Sequence, residues 1–97
     1  MMWPIILNEK YTLSFQQLGK KIRLTISEGD KELVCRKETL KNLDDFLLKE
    51  EIGIFKGRLQ LYKHKAIIEV IVKGKPIAIL SAKKMENVLN KLRKSIC

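Results

Sequence analysis

The side chains best suited to chemistry in this chain are cations and rings that alternate with aliphatic residues along short extended segments. Leu59 and Leu61 take every second position of one segment, which is the two-residue period of a strand with one buried face. The positions beside and between them, which would face solvent, are Arg58, Gln60, Tyr62 and His64. Guanidinium groups bind phosphates and aromatic rings stack on bases, so such a face is suited to a nucleic acid.

A second segment has the same arrangement earlier in the chain. Ile22, Leu24 and Ile26 alternate there with positions that include Lys21 and Arg23. The candidate nucleic-acid-binding residues from the two segments and the loops beside them are Lys21, Arg23, Arg58, Gln60, Tyr62, His64, Lys65, Lys73 and Lys75. Lysine on the solvent face of a strand is also ordinary protection against edge-to-edge aggregation, so each of these residues has a purely structural alternative.

The distribution of charge supports a polyanionic partner. The chain has 97 residues, with 20 Lys or Arg against 11 Asp or Glu, which gives a formal net charge of +9. Up to Glu51 the basic and acidic residues balance at nine each, whereas from Ile52 onward eleven basic residues face two acidic ones. A one-sided basic surface favours nucleic acid over a membrane surface as the partner, and solubility or thermostability is the alternative explanation.

Catalytic and metal-binding chemistry is not expected. The chain has one His and no Gly-rich phosphate loop, and Cys35 and Cys97 have no companion at metal-ligand spacing. Cys35 is expected to be a buried thiol in an apolar strand. Asp44 and Asp45 are adjacent on a predicted helix, where their side chains diverge. We therefore expect no enzymatic activity, no metal and no cofactor.

The hydrophobic segments of the sequence are short. No apolar run approaches the roughly 18–20 residues of a membrane-spanning helix, and residues 3–7 lack the basic start and the cleavage site of a signal peptide. The prediction is an intracellular protein, in the cytoplasm or nucleoid, without a membrane partner.

Strands followed by one helix are predicted in the first half of the chain. Pro4 cannot donate a ladder hydrogen bond, so the opening segment can form only an edge strand. Strands are predicted at 1–7, 11–17, 22–26 and from 32 onward, and a helix at about 37–50.

Strands followed by one helix are also predicted in the second half of the chain. Gly74-Lys75 is predicted as a turn, Pro76 as the start of a strand, and Ser81 as the N-cap of a helix. Lys63 is expected beside a loop. Strands are predicted at 59–64, 66–73 and from 76 onward, with a short additional strand proposed at 54–55.

The hydrophobic positions of the two halves superimpose. Leu13 and Phe15 fall on Leu59 and Leu61 at an offset of 46, and the helices match at an offset of 45. We therefore predict an α+β fold: one domain of two tandem β-β-β(-β)-α pseudo-repeats, at about 4–50 and 52–97, with curved antiparallel sheets and both helices on one side. A ferredoxin-like sandwich of the same elements is the alternative.

The block Lys75-Pro76-Ile77-Ala78-Ile79-Leu80-Ser81, followed by Met85, Leu89 and Leu92, resembles the final strand and helix of a group of single-stranded nucleic-acid binders. This group comprises the positive-cofactor-four coactivators, the PUR proteins and the Whirly proteins. Segment 33–47 is similar, with Arg36 in place of the Ser that begins the helix, and no aromatic pair for base stacking is evident. The resemblance implies two ββββα units that pair, as a dimer or a tandem repeat, and hold single strands on concave sheet faces.

The predicted function is therefore that of a small basic nucleic-acid-binding protein. We expect it to prefer single-stranded DNA or RNA, to have low sequence specificity, and to form a homodimer. The alternative is a protein-interaction module with no nucleic-acid role, because Ile67 and Ile71 are apolar residues on a strand face that would otherwise be open to water.

Overall fold

The computed structural model describes residues 2–55 and 57–96, and the side chains of residues 2–55 and 57–94. The first half forms a four-stranded antiparallel sheet, the first sheet, followed by a helix. Its elements are β1 (Met2–Ile6), β2 (Tyr11–Leu18), β3 (Lys21–Glu28), β4 (Lys31–Thr39) and α1 (Leu40–Leu48).

The second half repeats this order and forms the second sheet. Its elements are β5 (Glu51–Ile54), β6 (Leu59–His64), β7 (Ile67–Val72), β8 (Lys75–Ser81) and α2 (Ala82–Ile96). Each sheet has its strands in chain order. The predicted α+β fold of two four-strand-plus-helix units is confirmed. The additional strand of the second half lies at Glu51–Ile54 and not at 54–55, because Phe55 leaves the strand with a φ of 68°. Pro4 lies on the edge strand β1 and Pro76 on the edge strand β8, as expected.

The inner faces of both sheets and the two helices share one hydrophobic core. Leu13 and Phe15 of the first sheet, Leu61 of the second sheet, Leu43 of α1 and Met85 of α2 are all completely buried. Helix α1 contacts β4 of its own sheet and β5 of the other, while α2 contacts β8 and β1. Each helix therefore covers the core of both sheets. Burial of each large apolar side chain stabilises the fold by about 1.5–3 kcal/mol.

Helix α1 begins three residues later than predicted, because residues 37–39 continue strand β4. In that register Thr39 pairs with Lys21, so β4 extends along the whole of β3. Thr39 then caps the helix, its Oγ1 accepting a hydrogen bond from the Asn42 backbone N at 3.2 Å. The pairing of β4 with β3 thus overrides the helical spacing that the sequence shows from Lys37.

The comparison of Arg36 with Ser81 is consequently wrong. Ser81 caps α2 as predicted, its Oγ accepting from the Lys84 backbone N at 3.2 Å. Its counterpart is Thr39, which lies 42 positions earlier and not 45. The offset falls from 46 at the start of β3 to 42 at the start of α1, because each strand of the β3–β4 hairpin is two residues longer than its counterpart in the β7–β8 hairpin. The predicted offset of 45 between the helices is therefore also wrong.

The turn between β7 and β8 is displaced by one residue from its predicted place. Val72 pairs with Lys75, so Lys73 and Gly74 are the turn residues, with φ of 53° and 81°. A two-residue turn with left-handed backbone at both positions matches the twist of a hairpin, and glycine is favoured at its second position. Lys75 therefore begins β8.

Lys63 lies inside β6 and not beside a loop. The alternation that buries Leu59 and Leu61 also directs Lys63 inward, where the residue is 6% exposed. Its ammonium group donates a hydrogen bond to the Lys49 carbonyl oxygen at 2.5 Å, which satisfies the buried charge with a backbone acceptor.

Candidate nucleic-acid interface

The outer face of the first sheet is polar and cationic. The strand register places Gln16, Arg23 and Lys37 side by side across β2, β3 and β4, and Lys21 is the first residue of β3. Lys21 and Lys37 are exposed, and Arg23 is half-buried. Small hydroxyl side chains lie across the centre of this face at Thr12, Ser14, Thr25 and Ser27, and the edge strand β1 adds the exposed apolar side chains Met2 and Ile6. Lys37 was missed as a candidate because the sequence pattern assigned it to a helix.

Arg23 is held against strand β4 by two neighbours. Its Nη2 donates to Glu32 Oε1 at 2.7 Å, while its buried Nε has no hydrogen-bond partner among the described residues. A hydrogen bond with the Cys35 side chain, followed by the charge of Glu32, raises the pKa of Arg23 above its ordinary value. Arg23 therefore stays cationic, although Glu32 neutralises part of its field.

Cys35 is exposed, contrary to the expectation of a buried thiol. Val34 pairs with Ile26 on the inner face of the sheet, so the next residue, Cys35, turns outward and pairs with Thr25. It lies at the edge of the first sheet.

A cleft of about 370 Å³ opens between β4 and the start of β6. Strand β4 ends the first sheet, and its edge forms one wall of the cleft. We call this the arginine cleft, and its lining residues are Glu32, Leu33, Val34, Cys35, Arg36, Arg58 and Leu59.

Arg36 and Arg58 both line the arginine cleft, and neither forms an ion pair within the described part of the chain. The Arg36 guanidinium lies over the Phe55 ring, 5.5 Å from its centroid. Gly57 leaves room for it, since a Cβ at that position would lie 3.3 Å from Arg36 Nη1. Packing therefore orients Arg36 without neutralising it.

Three of the four arginines of the chain gather at this place. Arg36 and Arg58 line the cleft, and Arg23 contacts Glu32 at its wall. Arg93 lies elsewhere and pairs with Asp44. Arg36 was not among the sequence candidates, and the signal that could have found it is a cation at an inward position of β4, two residues after buried Val34.

The outer face of the second sheet has a different character. Gln60, Tyr62 and His64 point outward from β6 as predicted, but they do not join the cations of the first sheet. His64 Nδ1 lies 2.7 Å from Glu51 Oε1, and Tyr62 is the cross-strand neighbour of Glu69 in the β6–β7 register. The rest of this face is largely isoleucine: Ile67, Ile71 and Ile79.

The remaining candidates lie at the two ends of β7. Lys65 is exposed in the β6–β7 turn, with a φ of 56°. Lys73 and Lys75 are at the opposite end, beside a cavity of about 280 Å³ that Tyr11 and Glu28 also line. The nine predicted residues thus lie in four places: the first-sheet outer face, the arginine cleft, the second-sheet outer face and the two ends of β7, where Lys65 and Lys73 are turn residues and Lys75 begins β8.

Neither a metal site nor a membrane-spanning helix is found among the described residues. No group of three or more His, Cys, Asp or Glu side chains is placed to hold a metal ion. Among the same residues, no helix is both long and apolar enough to cross a membrane.

The chain matches no family model, no curated protein and no solved structure. Its grouping with the positive-cofactor-four, PUR and Whirly proteins therefore stays a prediction from the sequence pattern.

Proposed function

We propose that the protein binds single-stranded nucleic acid with little sequence specificity, with phosphates held by the arginine cleft and by the cations of the first-sheet outer face. The observation that carries this proposal is the pair of arginines, Arg36 and Arg58, which line one cleft and have no carboxylate partner among the described residues. Two like charges that share a cleft attract an anion more strongly than either charge alone.

The chemistry of the cleft fits a phosphate group. A guanidinium presents a planar set of donors that matches two phosphate oxygens, and stacking on Phe55 limits the directions that Arg36 can take. Contacts to phosphates carry no base information, so binding through the cleft is expected to be largely independent of sequence.

The first-sheet outer face supports the preference for single strands. Gln16 lies beside Arg23 on β2, and Thr25 follows Arg23 on the same face of β3; both can donate to or accept from unpaired base edges. In a duplex those edges lie within the grooves, which proteins usually enter with a helix or a two-stranded ribbon. A broad sheet face suits an extended, unpaired strand better.

Binding of single- and double-stranded oligonucleotides of one sequence, measured over a range of salt concentrations, tests the proposal. We expect tighter binding of the single strand and a logarithmic decrease of affinity with salt. The double variant Arg36→Gln with Arg58→Gln should weaken binding at least about tenfold and reduce the salt slope by about two.

The matched control is Lys83→Gln with Lys84→Gln, which removes the same charge from exposed positions of α2. This variant should keep most of the affinity. Equal losses from the two variants would mean that net charge alone governs binding. Undetectable binding to either oligonucleotide at low salt would refute the proposed function.

A further inference from the structure

The outer face of the second sheet is an exposed apolar surface. Tyr62 is 45% exposed, Ile67 44% and Ile79 61%, and Ile71 is partly buried between them. These side chains come from the three adjacent strands β6, β7 and β8, so they form one continuous patch. A contiguous patch of this kind on an otherwise charged protein indicates a site of interaction.

A single carboxylate lies at the centre of the patch. Glu69 has Tyr62 and Ile79 as its cross-strand neighbours, and Ile67 and Ile71 precede and follow it on the same face of β7. Its side chain has no ion pair or hydrogen bond to any other residue that the structure describes. We call this set of five residues the Glu69 patch.

We propose that the Glu69 patch docks a protein partner that presents a lysine or arginine between aliphatic side chains. The isoleucines supply apolar area for such a partner, and the carboxylate supplies the complementary charge at its centre. A charge covered by a partner must be paired there, because burying it alone costs far more than the pairing gains.

The charge of the patch argues against two other occupants. A nucleic acid would bring phosphates against Glu69 and against Glu51 on the neighbouring strand β5. A second copy of the chain, packed face to face about a two-fold axis through the patch, would set one Glu69 against the other. Because the patch shares no residue with the arginine cleft, this inference is independent of the proposed function.

Two synthetic peptides serve as probes. The first alternates Ile, Lys and Ile with Thr, so that its extended form presents a lysine between two isoleucines, and the second has Glu in place of the Lys. Binding to the isotope-labelled full chain is followed by the amide shifts in NMR spectra. We expect the lysine peptide to shift amides of β6, β7 and β8 around Glu69, and the glutamate peptide to shift none.

Substitution of the carboxylate makes the test specific. Glu69→Gln should weaken binding of the lysine peptide about tenfold, and Glu69→Lys should bind the glutamate peptide in its place. Glu86→Gln removes the same charge from an exposed position of α2 and should leave binding unchanged. Glu69 itself is exposed, so these variants retain the core that folds the chain.

Four results would overturn the proposal. Two of them are the absence of shifts with the lysine peptide and equal binding of both peptides. The third is the observation, by sedimentation, of a dimer that the substitution Glu69→Lys or Ile79→Ser converts to monomer. The patch would then bind a second copy of the chain. The fourth is an oligonucleotide that shifts the same amides.

Discussion

Glu32 is the residue that most directly opposes anion binding at the arginine cleft. It lines the cleft and also accepts the 2.7 Å hydrogen bond from Arg23. Replacing it by Gln removes a negative charge and releases Arg23 for a phosphate. We expect Glu32→Gln to raise the affinity for single-stranded oligonucleotides about three- to tenfold, measured by fluorescence anisotropy at fixed salt.

The control for this gain is Glu28→Gln, which removes a carboxylate from the same sheet. Glu28 is exposed and its contact with Lys10 is 3.8 Å long, away from the cleft. Both variants lose a surface ion pair, which contributes only about 0–1 kcal/mol to stability. If both raise the affinity by the same factor, the effect comes from net charge, and Glu32 has no special place at the cleft.

At the scale of elements, the first turn residue of each sheet's central hairpin has a positive φ, and a different residue type occupies it in each half. Gly19 in the β2–β3 turn has a φ of 61°, and Lys65, 46 positions later in the β6–β7 turn, has a φ of 56°. A left-handed conformation costs a residue with a side chain about 1–2 kcal/mol, and glycine adopts it freely. The second half therefore carries strain that the first half avoids.

Lys65→Gly should stabilise the protein because it relieves this strain. We expect a gain of about 0.5–1 kcal/mol in the free energy of unfolding by urea, reduced by the greater freedom of glycine in the unfolded chain. The converse variant Gly19→Ala should lose about 1 kcal/mol through backbone strain alone, since a Cβ at Gly19 would meet no atom within 4 Å. A loss of stability in Lys65→Gly would show that the lysine side chain contributes more than its backbone conformation costs.

The strands were predictable from the sequence because alternation is a local property. The alternation of apolar and polar residues predicts that Leu59, Leu61 and Ile68 lie on the buried faces of their strands, and all three are buried. The start of α1 was not predictable in this way, since it depends on how far β4 pairs with β3. The arginine cleft was missed for the same reason, because Arg36 and Arg58 line one cleft only when the edge of β4 comes beside β6.

At the scale of the whole molecule, the charges divide by surface and not by half of the chain. The neutral first half supplies Arg23, Arg36 and Lys37 to the proposed interface. Much of the excess in the second half lies on the exposed side of α2 or in turns, and Lys63 is buried. The cationic first-sheet face and the apolar, acidic Glu69 patch therefore give the molecule two surfaces of opposite character, which suits two partners of different chemistry.

The shared core makes the two halves one cooperative unit. Leu43 of α1 is completely buried, and α1 contacts β5 of the second sheet as well as β4 of the first. Leu43→Val should cost about 1 kcal/mol for the lost methylene, and it should lower the protection of amide hydrogens against exchange by the same factor in both sheets. Leu48 lies on the same helix but is 82% exposed, so Leu48→Val reports only the lower helix propensity of valine. Subtracting its effect leaves the contribution of the core. If protection falls in the first sheet alone, the two units open independently and α1 does not couple them.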